Sequence, residues 1–279
     1  HAHGGSAAGG GGHVDLIHEG LHDGKAHAAA LLLGMGGIKG LHGLFHVFNA
    51  APAIRHPDQK RSVLVEKQLQ KHLAEFAVLS HGHYDHGGGL KRFLELNDHA
   101  KVYVSQHAFG DYYNAEEKYI GLDWELLSEE RIVFVRDNLT LSDTLSLHTC
   151  PNFPQVYFTD AYGMQVKRRD QLETDDFRHE MYLLIREGER RIIVSGCSHR
   201  GVMNLKTWFA PDVFIGGFHL MKLDPEKEAT RLKFTAMELL KQETVYYTGH
   251  CTGQEQFQAL RPILGDRLRA ISTGSVIDL

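Results

Sequence analysis

The sequence predicts a layered α/β protein in which helices pack on the outside of β-sheets. Short apolar runs typical of strands recur along the chain, and helix-forming stretches alternate with them in its second half. No segment rich in proline, glycine or serine separates the halves, and 279 residues suffice for a packed core. We therefore expect one domain over residues 13–279, preceded by a flexible His/Gly-rich tail at residues 1–12.

The first half of the chain is predicted to be rich in strands. Two apolar runs, at residues 31–33 and 44–48, are separated by several glycines, which favours short strands joined by loops. Strands are further predicted at residues 76–80, 101–105, 131–135 and 155–159. Helical spacing of apolar residues predicts helices at residues 66–76 and 90–96.

The second half alternates predicted strands with predicted helices. The strands are expected at residues 181–186, 191–195, 212–215, 244–248 and 268–272. The helices are expected at residues 202–208, 226–241 and 255–264. This alternation is typical of sheets covered by helices.

Composition excludes several classes of protein. A formal net charge of −5, with lysine and arginine scattered along the chain, argues against a nucleic-acid-binding protein. The sequence contains no apolar stretch of about 18 residues, so we expect no membrane span. Three cysteines do not make a disulfide framework, and the first residues lack the pattern of a signal peptide. We therefore expect a cytoplasmic protein that acts on a small molecule; its oligomeric state stays open.

A dense group of metal-ligating side chains follows the strand predicted at residues 76–80. In an extended segment, residues i and i+2 project to the same side, so His81 and His83 can chelate one ion. Asp85 and His86 follow where the backbone turns, and they can face a second ion a few ångströms away. Imidazole and carboxylate together are the ligands expected for zinc, iron or manganese. Gly82 gives the backbone the freedom that this crowding requires.

Further histidines follow predicted strands later in the chain. His199 and His250 each stand beside glycines directly after such a strand, where His81 and His83 also stand. His219 follows Gly216 and Gly217 after the strand predicted at residues 212–215. These positions predict that side chains from several loops meet in one site.

The run His81-Gly82-His83-Tyr84-Asp85-His86 resembles the His-x-His-x-Asp-His motif of the metallo-β-lactamase fold superfamily. Three later runs resemble one branch of that superfamily, which includes 7,8-dihydropterin-6-methyl-4-(β-D-ribofuranosyl)aminobenzene-5′-phosphate synthase. These runs are Gly196-Cys197-Ser198-His199, Gly216-Gly217-Phe218-His219-Leu220 and Gly249-His250-Cys251-Thr252-Gly253. The resemblance implies a four-layer αββα sandwich with metal ions bound at one edge of its two sheets.

The resemblance also implies a ligand set for two divalent metal ions, with zinc expected and iron or manganese as alternatives. His81, His83 and one later histidine would hold the first ion, and Asp85, His86 and His250 the second. The later histidine is His199, which the glycine-flanked strand end favours, or His179, which stands just before a predicted strand. Cys197 is either a thiolate ligand or a buried inert cysteine.

Three residues are candidates for roles beyond holding metal. Asp85 would help to orient the nucleophile as well as bind metal. His219 is either a substrate-phosphate or acid/base residue, or a structural histidine. Arg200, beside His199 at a predicted helix start, is a candidate contact for an anionic substrate.

The first functional hypothesis is a metal-dependent hydrolase that uses a metal-activated hydroxide on a small-molecule ester, in particular a phosphoester. The resemblance implies an alternative, a pterin-related transferase that forms a C–N bond with a phosphorylated ribofuranosylaminobenzene. A third class is a metal or redox sensor. The sequence contains no Gly-x-Ser-x-Gly elbow and no phosphate-binding glycine loop, so it does not support a serine hydrolase or a P-loop enzyme.

Overall fold

Two stacked β-sheets form the centre of the computed structural model, which describes residues 13–16, 32–34, 45–48, 74–271 and 275–278. The predicted tail at residues 1–12 and most of the helix predicted at residues 66–76 lie outside these ranges. The described strands are β1 (His13–Leu16), β2 (Leu32–Gly34), β3 (Phe45–Phe48), β4 (Phe76–Val78), β5 (Lys101–Ser105), β6 (Asp111–Tyr113), β7 (Ile132–Val135), β8 (Leu139–Thr140), β9 (Leu145–Thr149), β10 (Gln165–Arg168), β11 (Gln171–Thr174), β12 (Met181–Glu187), β13 (Arg190–Val194), β14 (Val213–Ile215), β15 (Val245–Thr248), β16 (Leu268–Ala270) and β17 (Ser275–Asp278). The described α-helices are α1 (Tyr84–Gly87), α2 (Leu90–Leu96), α3 (Val202–Phe209), α4 (Ala229–Leu240) and α5 (Gln254–Leu264).

A seven-stranded sheet with the order β16-β15-β14-β13-β12-β9-β8 forms one half of the sandwich. Strands β13 to β16 are parallel, and α3, α4 and α5 are the crossovers that connect them. Their apolar side chains, among them Leu205, Leu232 and Leu260, are fully buried in one core cluster on the outer face of this sheet.

The facing half contains the parallel strands β4, β5 and β7, and β2 of the sheet β17-β1-β3-β2 lies beside β4. Helix α2 follows β4 and covers the outer face, where Leu90 and Phe93 pack with Leu79 and Val102. A helix layer therefore lies outside each half.

Strand β12 shows why both faces of the seven-stranded sheet are buried. Successive side chains of a strand point to opposite faces. Met181 and Leu183 accordingly pack between the two sheets, whereas Tyr182 and Leu184 pack under the helices. The sheet is thus enclosed by the facing sheet on one side and helices on the other, which confirms the predicted αββα sandwich.

The strand predicted at residues 155–159 is wrong. The backbone N–H groups of Val156 and Tyr157 donate to Asn204 Oδ1 at 2.9 and 2.7 Å, so a side chain of α3 takes the hydrogen bonds that a neighbouring strand would need. The sequence reading also missed the small sheet β11-β10-β6 and the strands β8 and β9. No helix among the described residues is long and apolar enough to cross a membrane.

The topology brings several loops to one edge of the sandwich. Val194, Ile215 and Tyr247 are in register on β13, β14 and β15, so the carboxyl ends of these parallel strands lie side by side. Strand β12 is antiparallel to β13 and therefore begins at that edge. The loop after β4 lies at the same edge, because the N–H of Met181, the first residue of β12, donates to the carbonyl of Ser80 at 2.8 Å.

Candidate metal centre

The loops at this edge bring together every histidine that the sequence predicts for the site. Neighbouring ring centroids lie 4.0 Å apart for His81 and His86, 4.9 Å for His81 and His199, and 4.2 Å for His199 and His219. The group, called the histidine cluster below, consists of His81, His83, His86, His179, His199, His219 and His250.

The loop after β4 supplies the first members of the cluster. His81 and His83 precede α1 and are almost fully buried. The single turn of α1 then carries Asp85 and His86, with the Asp85 carboxylate 3.8 Å from His86 Nε2. The backbone turn expected after His83 is therefore a short helix.

Some ring nitrogens of the cluster face another ring nitrogen or have no hydrogen-bonding partner. His81 Nε2 lies 3.3 Å from His199 Nε2. His83 Nε2, His199 Nδ1 and both nitrogens of His219 are buried with no hydrogen-bond partner. Buried polar atoms without partners are rare and destabilise a fold. Imidazole lone pairs that converge without hydrogen-bonding partners fit a bound cation.

The charges of the cluster also suit a cation. Burial, reinforced by neighbouring histidines, lowers the pKa of His81 and His199 well below the ordinary value. Burial lowers the pKa of His86 to about 3. These imidazoles are therefore neutral at pH 7 and offer lone pairs. Burial alone would raise the pKa of Asp85, but nearby His86 and His83 outweigh it and lower that pKa, so the carboxyl stays ionised.

Several sets of donor atoms lie within 4.8 Å of one another and could hold an ion. They include His81–His83–His199, His81–His86–Cys197, Cys197–His199–His219, Cys197–His250–Cys251 and His83–Asp175–His179. The structure thus places Cys197 beside the predicted ligands.

His179 is fully buried, and both of its ring nitrogens have protein partners. Nδ1 accepts the backbone N–H of Gly82 at 3.0 Å, and Nε2 lies 3.1 Å from the carboxylate of Asp175. The same carboxylate oxygen is 3.8 Å from His83 Nε2. Burial alone would raise the pKa of Asp175, but His179 and His83 outweigh it and hold the pKa well below its ordinary value.

Asp175 and Glu180 are site residues that the sequence reading missed. Glu180 is buried, and its carboxylate accepts the backbone N–H groups of His199 at 2.6 Å and Arg200 at 3.0 Å. It thereby fixes the turn that presents His199. Glu180 stands directly before β12, a strand that begins at the site edge, and Asp175 directly after β11, but single carboxylates at such positions carry no motif that identifies them.

Arg200 lies next to the histidine cluster rather than inside it. It lines a pocket of about 290 Å³ together with His107, Cys150, Pro151, Asp176 and Arg178. Its Nη1 donates to the carbonyl of Asp176 at 3.1 Å, and its Nε is buried with no hydrogen-bond partner.

Four residues of the site loops have left-handed backbone conformations. The φ angles are +52° at Phe177, +55° at Ser198, +52° at His219 and +50° at His250. Non-glycine residues in this region cost about 1–3 kcal/mol each, and such residues concentrate at functional sites. The ring of Phe177 stacks on that of His199, with centroids 4.5 Å apart and an interplanar angle of 10°. This contact helps to hold Phe177 in its strained conformation.

Replacing Asp175 by asparagine is expected to weaken metal binding by about 10–100-fold, because partners that orient ligating histidines contribute this much. The shape of the side chain is kept, but the charge facing His83 and His179 is lost. Competition with a chelator measures the affinity. Asp176→Asn is the matched control, since Asp176 pairs with Arg168 and Arg178 instead. Equal affinities for the two variants would contradict the role of Asp175.

Comparison with known proteins agrees with this geometry. The model of the metallo-β-lactamase superfamily matches residues 75–157, which include the loop after β4. An uncharacterized protein of Methanocaldococcus jannaschii is 31% identical over 157 residues, which cover 53% of this chain and 58% of the relative. The 7,8-dihydropterin-6-methyl-4-(β-D-ribofuranosyl)-aminobenzene-5′-phosphate synthase of the same organism is 28% identical over 198 residues, covering 64% of this chain and 66% of the enzyme. Each match therefore spans less than two thirds of the relative's own length.

A solved structure shows the same fold. The crystal structure of Tm1679, a metal-dependent hydrolase of the β-lactamase superfamily, superposes with a TM-score of 0.61 at 23% identity. The superposition covers 72% of this chain and 78% of that one. The family model matches the motif loop by sequence and this structure matches the sandwich, so the chain has the metallo-β-lactamase fold.

Proposed function

We propose that the chain is a metal-dependent hydrolase that cleaves a small-molecule phosphoester at the histidine cluster. The observation that carries this proposal is the set of buried imidazoles with unpartnered nitrogens beside the ionised Asp85. Two divalent ions, which we propose to be zinc, would supply an activated water as nucleophile and stabilise charge on the reacting phosphoryl group.

The donor geometry supports a division of the ligands between two positions. The first position takes His81, His83 and His199, whose donor atoms lie within 4.8 Å of one another. The second takes Asp85, His86 and His250, with the His86 and His250 rings 5.3 Å apart. We assign His179 to position the loop, because the Gly82 N–H and Asp175 already occupy its nitrogens.

Asp85 and His219 have the placement that hydrolysis requires of them. The Asp85 side chain is 24% exposed, so its carboxylate can reach solvent and accept a proton from the attacking water. His219 lies against His199, with ring centroids 4.2 Å apart. Its free ring nitrogens can deliver a proton to the leaving oxygen.

Arg200 supports a phosphorylated substrate. It follows His199 directly, and its buried Nε has no protein partner. A guanidinium group binds phosphate oxygens by charge-assisted hydrogen bonds, so an anion reaching the cluster can engage it. Arg178, which lines the same pocket, is already paired with Asp176.

The variant Arg200→Ala is expected to raise KM for a phosphorylated substrate by about 10–100-fold, the equivalent of a lost hydrogen bond to a charged group. The value of kcat should change little, because Arg200 lies outside the cluster that performs the chemistry. Steady-state kinetics test this, with the exposed Arg190→Ala as control. An unchanged KM would rule out Arg200 as a substrate contact.

A second candidate function rests on the 28% identity to the pterin-related synthase. In that case the chain would be a transferase that joins the 6-methyl carbon of a dihydropterin to an aminobenzene ribofuranosyl phosphate and displaces a leaving group from that carbon. The phosphate of such a substrate could use Arg200 in the same way.

The two candidates are separated by one assay of zinc-loaded protein. A panel of phosphomonoesters and phosphodiesters is tested in parallel with a mixture of ribofuranosylaminobenzene phosphate and a dihydropterin that carries a leaving group on its 6-methyl carbon. We expect phosphate or alcohol release from the ester panel that is lost in Asp85→Asn protein. Formation of a pterin conjugate without ester cleavage would select the synthase instead.

A further inference from the structure

Two cysteines lie at the histidine cluster, each beside a predicted metal ligand. Cys197 stands in the loop after β13 and Cys251 in the loop after β15, and both are buried. The parallel register of β13, β14 and β15 brings these loops to the same edge of the sheet.

The Cys197 sulfur faces nitrogen donors of the cluster. Its Sγ lies 3.1 Å from His86 Nε2. The donor atoms of Cys197, His250 and Cys251 also lie within 4.8 Å of one another, as do those of His81, His86 and Cys197. Bond lengths of about 2.3 Å to sulfur and 2.0 Å to nitrogen separate two donors of one tetrahedral zinc by roughly 3.5 Å.

The loop after β14 leaves room for the second sulfur. A Cβ at Gly217 would lie 2.4 Å from Cys251 Sγ, so any larger residue there would displace the cysteine. Cys150 shows the contrast, because it packs with apolar side chains in the core between the sheet and the outer helices. Two of the three cysteines are thus placed among metal donors, and the third is not.

We propose that Cys197 and Cys251 are thiolate ligands of the second metal position, where their sulfur atoms join the donors Asp85, His86 and His250. The proposal rests on the metal centre described under the proposed function. Each thiol loses its proton to solvent when it binds the ion. Thiolates are soft ligands that favour zinc or iron, whereas manganese prefers oxygen ligands. The sulfur atoms would therefore set the metal preference of this position.

Cobalt substitution tests the proposal without any substrate. Metal-free protein titrated with Co²⁺ alone should develop the intense near-ultraviolet band of sulfur-to-cobalt charge transfer. Cys197→Ser and Cys251→Ser should each lose about half of that band, and the double variant all of it, while Cys150→Ser keeps it. Absence of the band in the unmodified protein, or an unchanged band in either single variant, overturns the proposal.

A second measurement covers the case in which a serine variant does not fold. X-ray absorption of the unmodified zinc protein should show sulfur scatterers at about 2.3 Å. A spectrum with only nitrogen and oxygen scatterers overturns the proposal. Neither measurement depends on turnover, so a protein that lacks esterase activity but shows sulfur ligation contradicts only the proposed function.

Discussion

Replacing His83 by alanine is expected to remove most of the bound metal and reduce turnover to background, while the protein stays folded. His83 is almost fully buried, its Nε2 has no hydrogen-bond partner, and its ring lies 4.8 Å from that of His81. Alanine removes one of the three donors proposed for the first position and leaves only His81 and His199. Metal content by elemental analysis and turnover are measured on the same preparation.

The fold should survive this change because its stability comes from elsewhere. The apolar layers between the sheets and under the helices do not include the cluster, unlike the core of a zinc finger, which depends on its metal. His99→Ala, at an exposed histidine that pairs with Asp98, is the control and should keep full metal content and turnover. A folded His83→Ala protein with undiminished metal would refute the role of His83 as a ligand.

The layered α/β fold could be predicted because its central strands carry strong local signals. The apolar runs at β12 and β13 are buried on both faces, and such runs are readable from one sequence. The small sheet β11-β10-β6 could not be predicted in this way. All residues of β11 are exposed, and a strand without a buried face has no alternating pattern to reveal it.

The same distinction between local and long-range signals applies to the residues of the candidate site. His81, His83, Asp85 and His86 are neighbours in sequence, so their spacing alone predicts a shared site. The partners of Asp175 and Glu180 are distant in sequence, and single carboxylates carry no motif. Glu180 contacts the backbone of His199 only because antiparallel pairing of β12 and β13 brings their ends together. That pairing is a property of the fold, and no local pattern contains it.

The variant His219→Ala is expected to keep its metal and to lose turnover by about 10²–10⁴-fold, the contribution of a general acid or base. Both ring nitrogens of His219 are buried without hydrogen-bond partners. Its ring centroid lies 4.2 Å from that of His199 and 5.4 Å from that of Tyr162. The proposed ligand set is complete without it, so the group remains available to the substrate. Metal content and the kinetic constants must come from one preparation, since only their combination assigns the role.

His219→Asn separates loss of the imidazole from backbone strain. The φ angle of His219 is +52°, a conformation that asparagine tolerates better than alanine. If the imidazole transfers a proton, turnover should fall by the same factor in both variants, and both should retain the metal. A loss confined to His219→Ala would assign the defect to the strained turn. If both variants instead lose one equivalent of metal, His219 is a ligand, through the donor set that it shares with Cys197 and His199.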